Sequence, residues 1–162
     1  MTVGRQTRSS KRTSSKNSKS FGSALRRLYK TPEPITFTRT RTFQDLGLDA
    51  TAIGSLCHQE FEGKKLLTTY TDTDESYFFY GMYRGREQLG FAIVQEEDAK
   101  SYVIDYFCAL KTYGKFLMRH IQQDLCGTNC NISLFSLSTA FKFYEKMGFI
   151  SMGHNIYMYK RS

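Results

Sequence analysis

Residues 140–149 read Ala-Phe-Lys-Phe-Tyr-Glu-Lys-Met-Gly-Phe, and this short segment carries the clearest structural signal in the chain. A helical pattern covers 139–147, and Gly148 follows it where helices commonly end with a left-handed residue. Two apolar runs, 149–152 and 155–160, come next and predict a pair of strands around a glycine-containing turn. The segment therefore predicts a short helix that leads directly into a C-terminal hairpin.

Upstream of that segment, the hydrophobic pattern predicts an α+β domain. Alternating or aromatic-rich runs predict strands over residues 35–43, 76–83, 88–95, 102–107 and 131–137. Helical spacing predicts one helix over 49–61, with Asp49 as its N-cap, that ends near Gly63. A second helix starts near Gly114 and stops at Gly127. This order is typical of a mixed sheet with helices on both faces, and ligands in such sheets bind where the strand partners change.

Length and composition limit the class of protein. The chain has 162 residues, 40% of them apolar, which suits one packed domain and excludes a collagenous or coiled-coil chain. No apolar run is long enough to span a bilayer, so we expect no membrane contact. The N-terminus lacks the apolar stretch of a secretory signal, which favours an intracellular location, cytoplasmic or nuclear. The four cysteines are expected to be reduced thiols, although the sequence leaves a bridge open.

The positive charge is concentrated at the N-terminus. The net charge is +8, yet residues 1–30 hold nine basic side chains and no acid, so the remaining 132 residues are close to neutral. Small polar and basic residues cannot bury enough surface to offset their ordering entropy, so we expect this tail to be disordered on its own. Pro32 and Pro34 form a stiff hinge. We therefore divide the chain into a basic tail and hinge over 1–34 and a folded domain over 35–162.

The tail has the composition of a segment that binds polyanions. Mobile cations neutralise DNA or RNA phosphates without a fixed geometry. The candidate residues are Arg5, Arg8, Lys11, Arg12, Lys16, Lys19, Arg26 and Arg27. The pair Lys11-Arg12, followed later by Arg26-Arg27, also resembles a two-part nuclear localisation signal. Organelle import or association with a virion stays open. An acidic protein partner, or a solubilising extension without a partner, suits the same composition.

Two segments together resemble the GNAT acetyltransferases. Residues 140–149 match the family's C-terminal signature, Ala-x-x-Phe-Tyr-x-x-x-Gly-Phe. Residues 113–118, Tyr-Gly-Lys-Phe-Leu-Met, are similar to the end of the acetyl-CoA pyrophosphate loop and the helix that it opens, with a weaker likeness to MYST-type acetyltransferases. The resemblance covers about residues 76–160. It implies a GNAT-like acyl-CoA N-acyltransferase fold, with acetyl-CoA as the acetyl donor.

The resemblance also implies a cofactor loop. In the family, a Gln or Arg begins this loop and two small residues end it at a helix N-terminus, where unpaired N–H groups bind phosphate. Aligned on Gly114, this chain has Thr112 for the middle glycine and Ala109 for the Gln or Arg, so its loop is degenerate. Leu137 stands where the family often has Asn. The implied cofactor-binding residues are Ala109, Leu110, Lys111, Thr112, Tyr113, Gly114 and Lys115.

Acetyl transfer to an amine needs a base, N–H groups that polarise the carbonyl, and an acid for the thiolate. The family's acid is often the tyrosine that corresponds to Tyr144, for which aromatic packing on CoA or in the core is an equal interpretation. Asp105, on an otherwise apolar strand, is the best candidate for the base, although an outward-facing charge gives the same pattern. Glu96 and Glu97 are alternatives for the base.

Other reactive side chains give weaker signals. Cys108 lies roughly where MYST-type enzymes place a reactive cysteine, but a buried, inert thiol is the favoured interpretation. His120, Cys126 and Cys130 would give three metal ligands without a fourth at zinc spacing, so we expect no metal.

Two functions suit this combination of features. The first is an N-acetyltransferase that acts on a protein lysine, an N-terminus, a polyamine or a small metabolite amine. The alternative is a catalytically degenerate binding or structural protein whose tail docks on nucleic acid or within a larger assembly, such as a chromatin complex or a virus particle. A tail that tethers an active enzyme to chromatin would combine the two.

Overall fold

The computed structural model describes residues 32–57, 60–127 and 129–161. The predictions for the tail, including its eight candidate nucleic-acid contacts, lie outside these residues. The helices and strands are β1 (Ile35–Thr40), α1 (Ala50–Cys57), α2 (Glu60–Thr69), β2 (Tyr77–Arg84), β3 (Glu87–Asp98), β4 (Ser101–Ala109), α3 (Gly114–Leu125), β5 (Cys130–Phe135), α4 (Phe141–Lys146), β6 (Ile150–Gly153) and β7 (Ile156–Arg161). None of the helices in the described ranges has the length and apolar character needed to cross a bilayer.

The seven strands form one sheet in the order β1-β2-β3-β4-β5-β7-β6. Every neighbouring pair is antiparallel except β4 and β5, which are parallel. The predicted mixed sheet is therefore confirmed. Its parallel pair lies in the middle of the sheet, where two antiparallel halves meet.

Helices pack on both faces of the sheet, as the sequence predicts. On one face, α1 and α2 cover Phe79, Phe91 and Ile93. On the other, α3 and α4 cover alternate residues of the same strands, including Ala92 and Val94. Successive side chains of a strand point to opposite faces, which is why consecutive apolar residues of β3 supply two separate cores.

Glycine and asparagine make the tight turns of the sheet. Gly85 has φ of 56° and closes the β2–β3 hairpin. At the β6–β7 hairpin, His154 and Asn155 have φ of 50° and 63°, the signature of a two-residue turn that suits the twist of antiparallel strands. The C-terminal hairpin is thus present, and its turn lies one residue beyond Gly153.

The helix predicted over 49–61 is wrong in its extent. Asp49 does cap α1, since its Oδ1 accepts a hydrogen bond of 2.7 Å from the Ala52 N–H. A second helix, α2, then continues through Gly63 to Thr69. A Cβ at Gly63 would overlap the backbone carbonyl of Ala50, so this glycine permits close packing of α2 on α1 and does not end a helix.

The expectation of four reduced cysteines is also wrong. Cys57 at the end of α1 is bonded to Cys108 of β4, and Cys126 is bonded to Cys130. Cys57 and Cys108 are 51 residues apart in sequence, and their Cα atoms are 5.0 Å apart. The packing of α1 on β4 creates this proximity, so the spacing of cysteines along the chain carried no sign of it.

The C-terminal half of α3 is anchored to the first two strands. Asp124 accepts hydrogen bonds from the Tyr80 hydroxyl (2.7 Å) and the Arg39 guanidinium (2.9 Å). His120 stacks on the ring of Phe37 with 4.1 Å between ring centroids, so it packs against the sheet as a helix-surface residue. These contacts fix the direction of α3 and hence the position of its N-terminus.

Candidate active site

A cleft opens where β4 and β5 separate. The two strands pair over Ser101–Ile104 and Asn131–Leu134 and then diverge, although β4 continues to Ala109. Along that edge, no strand among the described residues pairs with the N–H and C=O groups of β4 beyond Ile104. The cleft has a volume of about 850 Å³ and is lined by the free end of β4, the following loop, the start of α3 and one side of α4.

Asp105 lies at the point of divergence, on a β-bulge. Ile93 is opposite Tyr106 and Val94 is opposite Ile104, so Asp105 is the extra residue of β4. The bulge turns Asp105 and Tyr106 towards the same face of the sheet, where both contact Tyr70. Bulges commonly redirect a side chain beside an active site.

The carboxylate of Asp105 has one phenol as its partner. The Tyr70 hydroxyl donates a hydrogen bond of 3.1 Å to Oδ2 of Asp105. Burial raises the pKa of Asp105, the hydrogen bond from Tyr70 lowers it, and the nearby charge of Glu97 raises it, with a net increase. Burial first, and then the charge of Asp105, raises the pKa of Tyr70 well above that of a free phenol. The phenol therefore keeps its proton and donates a hydrogen bond to the carboxylate.

The opposite end of the cleft is suited to an anion. The N–H of Tyr113 bonds to the Leu110 carbonyl at 3.0 Å, and in the described part of the chain the N–H groups of Thr112, Gly114 and Lys115 have no backbone acceptor. Helix N-termini with free N–H groups attract phosphate. Four basic side chains line the same cleft, namely Lys111, Lys115, Arg119 and Lys146.

Gly114 begins α3 beneath two aromatic rings. A Cβ at this position would lie 3.4 Å from the ring of Phe143 and 3.5 Å from that of Phe107. Those two rings are 5.7 Å apart and bridge α4 and β4 beside the helix N-terminus. A large side chain at position 114 would therefore enter the cleft between them.

Tyr144 is held on the other wall of the cleft. It is 8% exposed and packs against the rings of Phe107, Phe143, Phe149 and Tyr157. Burial raises its pKa to about 12. The turn after α4 fixes its backbone, because the Phe149 N–H bonds to the Tyr144 carbonyl at 3.0 Å while Gly148 adopts φ of 86°.

Solved structures share this architecture. The ribosomal-protein-S18-alanine N-acetyltransferase of Escherichia coli aligns with 80% of this chain and 95% of its own, with a TM-score of 0.57 and 17% identity. The PaiA N-acetyltransferase of Thermoplasma acidophilum, solved with coenzyme A, aligns over 77% and 99%, with a TM-score of 0.53 and 15% identity. A GNAT-family structure from Desulfovibrio desulfuricans aligns with 78% of this chain and 99% of its own, with a TM-score of 0.57 and 14% identity. The chain has the GNAT fold.

Sequence comparison adds nothing to this assignment. No family model matches the chain, and no curated protein matches its sequence. The fold is therefore recognised through its three-dimensional arrangement and the two local segments that resemble GNAT enzymes.

Within the GNAT fold, the residues predicted from sequence converge on one cleft. Its lining includes Asp105, Ala109, Leu110, Lys111, Thr112, Gly114, Lys115 and Tyr144. Tyr113 lies outside that lining, where its hydroxyl accepts a hydrogen bond of 2.6 Å from Arg84. Leu137, at the position where the family often has Asn, lines the cleft and is 63% exposed.

The alternative candidates for the base are separated from the cleft. Glu96 and Glu97 belong to β3 and do not line the cleft, although the charge of Glu97 acts on Asp105. Cys108 does line it, but its sulfur is bonded to Cys57, so this structure offers no thiolate there.

Three residues of the site were not predicted from the sequence. Arg119 lies four residues after Lys115, a helical spacing that places both on one side of α3 and could have revealed it. Lys146 lies inside the matched C-terminal segment and was overlooked there. Tyr70 carries no sequence signal, since it reaches Asp105 from 35 residues away.

Proposed function

We propose that this protein is an acetyl-CoA-dependent N-acetyltransferase of the GNAT type. One observation carries the proposal: a single cleft is lined both by the Asp105 carboxylate, whose pKa is raised, and by a helix N-terminus with basic side chains, where backbone N–H groups have no backbone acceptor in the described ranges. An amine acceptor beside the carboxylate and an anionic carrier of the acetyl group beside the helix N-terminus match this arrangement of charge. The GNAT fold of named N-acetyltransferases supports the same assignment.

The anion end suits the diphosphate of acetyl-CoA. The free N–H groups around Gly114 supply directed donors, and Lys111, Lys115 and Arg119 supply positive charge. The unpaired edge of β4 offers further backbone groups to the extended arm of such a molecule. When bound, acetyl-CoA would supply the thioester, and the related structure from Thermoplasma acidophilum was solved with coenzyme A.

Asp105 is the base in this proposal. An ammonium group must lose a proton before its nitrogen can attack, and a carboxylate of raised pKa accepts that proton more readily than one with the usual pKa. In the overall reaction the ammonium group first gives one proton to Asp105. The nitrogen then bonds to the acetyl carbon, the carbon–sulfur bond breaks, a second proton leaves the nitrogen for solvent, and the sulfur is released as a thiolate that takes up a proton from solvent.

Tyr144 serves the departing sulfur as a hydrogen-bond donor. With a pKa of about 12, its phenol is protonated throughout the neutral range. A thiol has a pKa of about 8.5, so complete transfer of the phenol proton to a thiolate would be uphill by about three pH units. Donation of a hydrogen bond without full transfer avoids this cost, and solvent supplies the proton afterwards.

A non-catalytic binding role is the second candidate, and two observations favour it. The rings of Phe107 and Phe143 are in contact across the cleft next to the helix N-terminus, and Thr112 occupies a backbone conformation that glycine favours. A cleft closed by its own aromatic rings would exclude coenzyme A. The GNAT fold would then serve as a scaffold, with residues 1–30 as the interacting segment.

Calorimetric titration of acetyl-CoA and coenzyme A into the full chain separates the two candidates. We expect saturable binding, followed by thiol release when an amine panel of lysine peptides, N-terminal peptides and polyamines is added. Absence of heat at millimolar acetyl-CoA contradicts the enzyme and favours the scaffold. The panel identifies the acceptor class at the same time.

The basic tail is proposed to bind nucleic acid or an acidic protein surface, which would keep the protein within the cell or nucleus or on a virion. Replacing its eight candidate residues by glutamine should remove salt-sensitive retention on DNA and RNA. With fewer cationic side chains, binding releases fewer counterions from the nucleic acid. The melting temperature of the chain is the control and should stay unchanged. Retention that survives the replacement contradicts this role.

A further inference from the structure

A tyrosine outside the GNAT sequence motifs supports the proposed base. Tyr70 follows α2, where its N–H bonds to the Leu66 carbonyl at 3.1 Å, and its side chain is 7% exposed. Its ring packs edge-on against Tyr77, Phe79 and Tyr106, with centroid separations of 5.7, 6.2 and 6.1 Å. A ring enclosed in this way cannot swing without disturbing the core, so its hydroxyl is a donor of fixed position.

The hydroxyl engages one oxygen of Asp105 and leaves the other available. Oδ2 accepts the hydrogen bond from Tyr70, whereas no residue in the described ranges donates to Oδ1. Asp105 lines the cleft, and as the extra residue of the bulge it has no residue of β3 directly opposite it. A carboxylate at such a point needs a partner to hold one orientation.

We propose that Tyr70 is a positioning residue, whose hydroxyl holds Oδ2 of Asp105 so that Oδ1 is presented to the acceptor amine. This inference rests on the proposed function for its purpose, but the contact between the two side chains can be tested without any catalysis. It explains why a phenol is placed inside an aromatic cluster directly behind the bulge.

The groups around Asp105 make the contribution of Tyr70 measurable. Glu97 of β3 faces it with a like charge, Tyr77 of β2 and Tyr106 of β4 lie around Tyr70, and the bonded pair of Cys57 and Cys108 lines the same cleft without titrating. Burial and Glu97 both raise the pKa of Asp105, and the hydrogen bond from Tyr70 opposes them. Loss of that hydroxyl should therefore raise the pKa further.

The decisive variant is Tyr70→Phe in the full chain, which removes one oxygen and keeps the ring. We expect the pKa of Asp105, followed through its carboxyl carbon by NMR, to rise by about one pH unit, since a hydrogen bond to a charged group has roughly that effect. The ascending limb of the pH profile for acetyl transfer should move by the same amount. We also expect kcat to fall about tenfold while the KM for acetyl-CoA stays unchanged.

Tyr77→Phe is the matched control, because Tyr77 belongs to the same cluster and none of its hydrogen bonds in the described ranges reaches Asp105. It should leave the Asp105 titration and the pH profile unchanged. Equal titration of Asp105 in wild type and Tyr70→Phe overturns the proposal, and so does an equal shift in both variants.

A failure of the proposed function would look different. If the chain binds no acetyl-CoA, that function falls, while the NMR titration still reports on the contact of Tyr70 with Asp105, and an unchanged pKa overturns the contact. If Tyr70→Phe does not fold, the hydroxyl proton of Tyr70 in the wild type replaces it. Slow exchange with water that is lost in Asp105→Ala supports the proposal, and fast exchange in the wild type overturns it.

Discussion

Two residues in the turns next to helices α3 and α4 share one unusual backbone conformation. Thr112, before α3, has φ of 77°, and Gly148, after α4, has φ of 86°. Glycine adopts this left-handed region freely, whereas a β-branched residue is strained there. At Gly148 the residue suits its backbone, but at Thr112 the fold imposes a conformation that the side chain opposes.

The difference shows where this chain stores strain. The turn at Gly148 ends helix α4 and fixes the backbone of Tyr144, so its role is structural. The turn at Thr112 lies beside free N–H groups, where a ligand contact can offset the strain. Strained residues that persist beside a cleft are typical of binding sites. Four substitutions test this comparison.

Gly114→Glu should have the largest effect, at the end of the cleft that carries Thr112. A carboxylate between the rings of Phe107 and Phe143 would repel an anionic ligand, so we expect the Kd for acetyl-CoA to rise at least about 100-fold. Gly114→Ala is the control, since its Cβ would lie 3.4 Å from the nearest ring atom and should change the Kd only a few-fold. Calorimetry measures both. Unaltered binding in the glutamate variant would place the anion elsewhere.

Gly148→Ala tests the other member of the pair, the turn after α4. An L-residue in the left-handed region costs about 1–2 kcal/mol, and the chain should lose that much stability in urea denaturation. Gly127→Ala is the comparison, because a Cβ at position 127 would have no atom within 4 Å. This variant should have an unchanged or slightly higher stability. A loss of similar size at both positions would mean that the backbone at Gly148 is not special.

Thr112→Gly should act in the opposite sense. Relief of strain at φ of 77° exceeds the entropy that glycine adds to the unfolded chain, so we expect a gain of about 0.5–1 kcal/mol in the free energy of unfolding. Thr112→Ala keeps the left-handed penalty and should gain less. A loss of stability in the glycine variant would show that the threonine side chain contributes more than its backbone costs.

Tyr144→Phe should have the smallest effect on the reaction. A hydrogen-bond donor that does not transfer its proton contributes about tenfold or less, so kcat should fall by at most that factor. Because the pKa of Tyr144 is about 12, its loss should leave the pH profile between pH 6 and 10 unchanged in shape. Disappearance of a descending limb in that range would make Tyr144 a true acid of lowered pKa.

Local features of the fold could be predicted from the sequence. Asp49 caps α1 and Gly148 follows the end of α4, as their residue types indicate. Each of these signals depends on a residue and its neighbours within one turn of chain. All residues of the loop from Ala109 to Lys115 except Tyr113 also line the cleft, and the helix that follows this loop was recognisable from its periodicity.

Relationships across the fold could not be predicted in this way. Gly63 indicated a helix end, but packing on Ala50 made it an interior residue of α2. The bulge that exposes Asp105 depends on the register of β3 against β4, and a register involves residues far apart in the chain. A local pattern holds no information about such a register.

The sequence by itself determined the turns, the caps, the amphipathic helix α3 and the segment that resembles the GNAT signature, because backbone preference and periodicity act over a few residues. The tertiary structure alone decided that Cys57 meets Cys108, that Tyr70 meets Asp105 and that β4 parts from β5 to form a cleft. These outcomes depend on how separate elements pack against one another. Packing is a property of the whole chain, and no single stretch of it encodes the site.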